Sequence, residues 1–135
     1  MGKKVVLDTN ILISALGWNG KPRIIFEKCV DRAIELFICK EQIDELRRVM
    51  DYPKFSFTEE QKRTFVSIIL EIATLVEITC TLKIIEEDPD DNMILETAII
   101  GGVNIIVTGD PHLLKLKKFG KIKIITAAEY LKKNR

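Results

Sequence analysis

The sequence predicts an α/β fold of three layers, α/β/α, with a central parallel sheet of about five strands. Two observations predict it. Short β-branched runs alternate with longer segments of helical period, the pattern of βαβ units. The first run, Val5-Val6-Leu7, has no polar side to show to water, so it reads as a strand buried on both faces.

The strand candidates, in order, are residues 5–7, 35–39, 76–79, 104–109 and 122–126. The first helix candidate is "TNILISAL", and the second is opened by Pro22 and runs through Ile25 and Cys29. "KEQIDELRRVM", "TEEQKRTFVSIILEIATL", "DDNMILETAII", "PHLLKLKKF" and "AAEYLKKN" follow. Thr58 with Gln61 has the spacing of a capping box, and Gly101-Gly102 marks a helix stop. The segment at 58–75 is apolar around much of its circumference, which predicts deep burial or a contact with a second subunit. "GWNGKP" and "DYPKFSF" are the expected loops.

At 135 residues the chain is read as one domain, 1–135, with 47% hydrophobic and 30% charged residues. A net charge of +1 excludes a global electrostatic drive towards nucleic acid or membrane, although the C-terminal part is lysine-rich and Glu86, Glu87, Asp88, Asp90 and Asp91 form an acidic run. Cys29, Cys39 and Cys80 are odd in number and without CxxC spacing, so free thiols of a cytoplasmic protein are expected. Asp8 interrupts the only N-terminal apolar run, so no signal peptide is expected, and no stretch approaches the roughly 18 apolar residues of a membrane span.

Chemistry is concentrated in acids at element ends. Asp8 follows the first strand and Asp110 follows the fourth, so a parallel sheet brings both to its carboxyl edge. At about 100° per residue, Ile43, Leu46, Val49 and Met50 form one stripe, which Glu45 borders while Glu41 and Asp44 point away. Asp91 lies on the line of the stripe Ile94, Leu95, Ala98 and Ile99, at the start of its helix. Carboxylates that converge repel unless a cation neutralises them, and an all-oxygen donor set favours Mg2+ or Mn2+. Such a site activates water for attack on phosphorus. Each acid also has a plain structural reading. Asp8 and Asp110 could cap helices, Asp88, Asp90 and Asp91 could serve a helix N-terminus, and Glu45 could pair with Arg48. His112 reads as a surface or capping residue.

"VVLDTNILISAL", "EQIDELRRVM", "DPDDNMILETAIIGG" and "NIIVTGDPHLL", in this order and spacing, resemble the PIN-domain nucleases. The small prokaryotic, VapC-like branch that contains toxins of toxin–antitoxin pairs is the most similar. The resemblance implies a five-stranded parallel sheet between helices, Mg2+- or Mn2+-dependent cleavage of RNA, an antitoxin partner and a homodimer. It places the acids that hold metal and catalyse on Asp8, Glu45, Asp91 and Asp110, with Asp88 and Asp90 as rivals to Asp91. Asn10 and Thr108 fall on the supporting positions. Many relatives carry another acid where this chain has His112. Arg47, Arg48 and Lys115 are candidate RNA-backbone contacts.

The expected activity is therefore a metal-dependent endoribonuclease. One alternative is a non-catalytic RNA- or partner-binding PIN module, which loss of an acid would signal. A haloacid-dehalogenase-like phosphohydrolase is another, but that family needs a second acid where Asn10 stands.

Overall fold

Val5, Val6 and Leu7 have no solvent exposure in the computed structural model, so the run that opens the chain is buried on both faces. The structure describes residues 3–79 and 89–133, without the side chains of residues 89 and 90; Cys80 and Asp88 lie outside the described residues. The chain runs β1 (Lys3–Leu7), α1 (Thr9–Gly17), α2 (Lys21–Val30), β2 (Ile34–Cys39), α3 (Lys40–Met50), a 3-10 turn (Pro53–Phe55) and α4 (Glu59–Ile72). It continues through β3 (Thr74–Val76), α5 (Pro89–Gly101), β4 (Ile105–Val107), α6 (Pro111–Leu114), β5 (Lys118–Phe119), β6 (Ile122–Ile125) and α7 (Ala127–Lys133).

The strands form one sheet in the order β3-β2-β1-β4-β6-β5. All neighbouring pairs are parallel except β5 with β6. The chain first builds outward from β1 through β2 to β3, then returns to lay β4 on the free side of β1. Strand order therefore reverses between β1 and β4, and the chain leaves them towards opposite faces of the sheet, α1 on one and α6 on the other, with a crevice beyond the carboxyl ends.

Alternating side chains divide the core. Val5, Leu7, Leu36 and Ile38 face α1 to α4 and Tyr130 of α7, while Val6, Phe37, Ile106 and Ile124 face α5 and Leu113 of α6. The three expected layers are present.

Local signals read from the sequence hold in two places. Thr58 Oγ1 accepts from the Gln61 N–H at 3.0 Å and Gln61 Oε1 accepts from the Thr58 N–H at 2.8 Å, a complete capping box for α4. At the end of α5, Val103 N–H donates to Ala98 O at 2.9 Å and Gly102 N–H to Ile99 O at 3.3 Å. Gly102 takes φ +67°, the left-handed turn that this closure requires.

Other expectations need correction. The helix expected over 58–75 stops at Ile72, because Thr74, Leu75 and Val76 pair with Phe37, Ile38 and Cys39 as an edge strand. The strand expected at 76–79 accordingly starts two residues early. The helix expected over 111–119 is a single turn, and Lys118-Phe119 form a sixth strand, a hairpin with β6 across Gly120-Lys121. Ile99 was expected on the buried stripe of α5 but is 43% exposed, while residues 91–98 are all buried.

Burial of Cys29 pushes its thiol up to about 12. The folded thiol keeps its proton while the unfolded one ionises from about pH 9, so this contribution to stability is complete below pH 9 and declines above it. Between the two values the decline is about 1.4 kcal/mol per pH unit. Denaturant titrations from pH 8.5 to 11 are expected to show a shallower fall for Cys29→Ala than for the parent chain; parallel slopes would refute it.

Candidate metal centre at the strand-order reversal

Asp8 is the residue on which the exits of β1 and β4 meet. Its N–H donates to Val107 O at 3.0 Å, prolonging the parallel ladder by one step. Its carbonyl accepts from the N–H groups of Ile11 and Leu12, so Asp8 stands at the N-cap of α1. The side chain makes no capping hydrogen bond. Oδ2 instead accepts from Thr108 Oγ1 at 2.6 Å, across 100 positions of sequence.

The Thr108 hydroxyl has a second task, accepting from the Asp110 N–H at 2.9 Å. One fully buried threonine thus sets the positions of both strand-exit acids. Thr108 is itself fixed by its N–H donating to Ile125 O at 2.9 Å, which ties in the exit of β6.

Asp110 takes the capping role that its sequence allows. Its Oδ1 caps α6 by accepting from the His112 N–H at 2.8 Å, with Pro111 in the first turn. The same carboxylate also meets Asp91. Asp91, 3% exposed, enters from the first turn of α5. A carboxylate oxygen of Asp91, one of Asp110 and a ring nitrogen of His112 lie within 4.8 Å of one another. The sequence reading set His112 aside; only the turn of α6 brings it to the acids.

Glu45 reaches the same edge from α3. It is half-buried and accepts a hydrogen bond from Thr9 Oγ1, the residue after Asp8. Glu41 and Asp44 are exposed, as the helical projection requires. Gln42, which sequence reasoning missed, holds α3 in place: fully buried, it donates from Nε2 to Leu7 O at 2.7 Å. No signal in the sequence marks it, because Gln42 stands in the polar run Lys40-Glu41-Gln42 and its partner is a distant backbone carbonyl. Glu96 is a further buried acid, absorbed by Thr79, whose N–H and hydroxyl both donate to Oε2 at 2.6 Å.

The remaining residues named from the sequence are peripheral. Asn10 is exposed on the first turn of α1, and the Asp8 carboxylate accepts from Thr108 Oγ1. Arg47 lines the groove between α3 and α4 with Asp51, Lys62 and Arg63. Arg48 and Lys115 are exposed, and Lys115 follows α6 directly. Asp88 lies outside the described residues, as does the side chain of Asp90. Cys39 closes β2 at this edge, but burial pushes its thiol up, outweighing hydrogen bonds from Thr97 and the Gln42 backbone. It stays protonated and offers no thiolate.

The donor set suits a hard or borderline divalent cation. Two carboxylates at this separation repel, and an ion between them converts the repulsion to attraction. Replacing the Thr108 hydroxyl by a methyl in Thr108→Val leaves a buried carboxylate without this donor. The expected cost is about 1–3 kcal/mol of folding free energy with the same fold, read from urea unfolding and circular dichroism. Unchanged stability would show that the hydroxyl carries no load at this junction.

Solved structures similar to this chain share its fold. One is a chain of VapBC2 from Rickettsia felis, solved bound to a DNA fragment from its promoter. It has TM-score 0.61 and 19% identity over 90% of this chain and 96% of that one. Another is PAE2754 from Pyrobaculum aerophilum, with TM-score 0.59 and 15% identity over 98% of this chain and 88% of that one. No curated protein is significantly similar. The PIN domain matches the sequence over residues 4–112, which include every acid of the site, and the chain belongs to the PIN-domain family.

Proposed function

We propose that the chain is a metal-dependent endoribonuclease whose cation is held by Asp91 and Asp110, with Asp8 and Glu45 completing the acidic rim. The observation that carries this reading is the meeting of Asp91 and Asp110 beside the Asp8–Thr108 hydrogen bond, in a PIN domain. A bound Mg2+ or Mn2+ supplies a Lewis acid that activates water and neutralises charge on the phosphoryl oxygens. The chain's own contribution is placement. Thr108 holds the Asp8 carboxylate and the Asp110 backbone, and α6 holds one oxygen of Asp110, so the acids are fixed before substrate arrives. Thr9 orients Glu45 towards the same edge.

Arg48, one turn after Glu45 on α3, and Lys115, directly after α6, are exposed and suited to grip the RNA backbone. Arg47, two residues from Glu45, projects about 200° around α3 and serves the α3–α4 groove. Phosphate contacts position a strand without reading it, so target choice would come from RNA shape and unpaired bases.

The toxin role, with a protein antitoxin as partner, is the reading that the likeness in fold to a VapBC2 chain supports. Pairing as a homodimer is supported by Leu70 on α4 and Leu75 on the edge strand β3, which are 53% and 60% exposed. Among the described residues no helix is long and apolar enough to cross a membrane.

Purified protein incubated with mixed single-stranded RNA and Mn2+ or Mg2+ is expected to cleave it, and to stop when a chelator is added. Asp8→Asn and Asp110→Asn are expected to lower the rate at least about 100-fold. Cleavage that survives the chelator and both substitutions would remove the metal reading. Silence on all RNAs alongside retained RNA binding would favour the non-catalytic module. Light scattering of the same preparation is expected to give the mass of two chains; a monomer mass would remove the dimer.

A further inference from the structure

His112 is the single histidine of the chain, and it stands two residues after Asp110 on a helix of four residues. The geometry of that turn brings the ring back to the acid. The His112 N–H donates to Asp110 Oδ1 at 2.8 Å, while ring Nδ1 lies 3.8 Å from the same oxygen. Asp91, arriving from another helix, completes a trio of donor atoms within 4.8 Å. The side chains of His112 and Asp110 are 49% and 19% exposed, so the ring stands on the outer, solvent side of the trio.

Donor chemistry decides what such a trio prefers. Carboxylates and water suit Mg2+, whereas imidazole suits later transition ions. Two carboxylates and one neutral imidazole carry a charge of −2, which a divalent cation cancels. An acid in place of the imidazole would leave an excess negative charge and an all-oxygen set better matched to Mg2+.

We infer that His112 supplies a nitrogen ligand to the cation held by Asp91 and Asp110, shifting the site's preference from Mg2+ towards Mn2+, Co2+ and Ni2+. This inference rests on the cation reading above. It assigns to His112 a selecting role among ions.

Calorimetric titration of the untagged protein with Ni2+ and with Mg2+ tests it, using the parent chain, His112→Ala, His112→Asp and Asp91→Asn. Because the cap of α6 uses the backbone N–H of His112, side-chain variants retain that hydrogen bond, and circular dichroism checks the fold. The expected result is a loss of Ni2+ affinity of at least about tenfold in His112→Ala, with Mg2+ affinity nearly unchanged. His112→Asp is expected to lower the Ni2+-to-Mg2+ affinity ratio further by strengthening Mg2+, and Asp91→Asn to weaken both ions. The lone imidazole gives a second readout: substoichiometric Mn2+ should broaden its proton NMR signals in the parent chain and spare them in Asp91→Asn. If the parent binds both ions and His112→Ala keeps the same ratio, the inference fails while the cation reading stands. If the parent binds neither ion, both fail.

Discussion

A single hydroxyl, that of Thr108, couples the two halves of the sheet where their order reverses. It donates to the carboxylate of Asp8 and accepts from the backbone of Asp110. The exits of β1 and β4 cannot separate without breaking the bond to Asp8 and the Asp8 N–H bond to Val107 O beside it. A parallel sheet alone would bring the two strand ends to one edge. The hydroxyl turns rough proximity into a fixed relation between two acids. Its full burial raises the stakes, since hydrogen-bonding groups inside a protein are costly to leave unpaired.

Around that junction, each neighbouring element supplies one support and one functional group. Helix α3 uses Gln42 to hold the last carbonyl of β1 and, one turn later, presents Glu45 to Thr9. Helix α5 is buried along residues 91–98, which fixes its axis under the sheet and so fixes Asp91 at its start. Gly101 lets the far end of α5 close on the sheet, where an added Cβ would lie 2.9 Å from the ring of Phe37. Helix α6 is short, yet its capping turn sets both Asp110 and His112. Packing and site geometry therefore share residues, and the site's rigidity is a property of the fold.

Legibility from sequence followed the strength of the local pattern. The helix over residues 40–50 was bounded correctly because its apolar stripe is clean and its opposite face charged. Glu45 could be chosen over Glu41 and Asp44 by the same projection. β3 and β5 were harder, since an edge strand of three residues and one of two carry almost no periodic signal. "PHLLKLKKF" has helical spacing, but Lys117 adopts φ +62° and Gly120 φ +59°, and the chain turns back into a hairpin. The trio of Asp91, Asp110 and His112 was legible only in part. Two of its members announced themselves as acids at element ends. The third, His112, owes its place to a capping turn that no pattern of hydrophobicity reports. Gln42 was invisible for a related reason: its partner is a backbone carbonyl 35 positions away.

The central claim is that residues brought together by the β1–β4 reversal hold one divalent cation. Anomalous diffraction at the manganese edge, from crystals grown with Mn2+, tests it most directly. The account predicts a peak bonded to the carboxylates of Asp91 and Asp110, with Asp8 still accepting from Thr108. Those two carboxylates turned apart, or manganese bound only at distant surface acids, would contradict it.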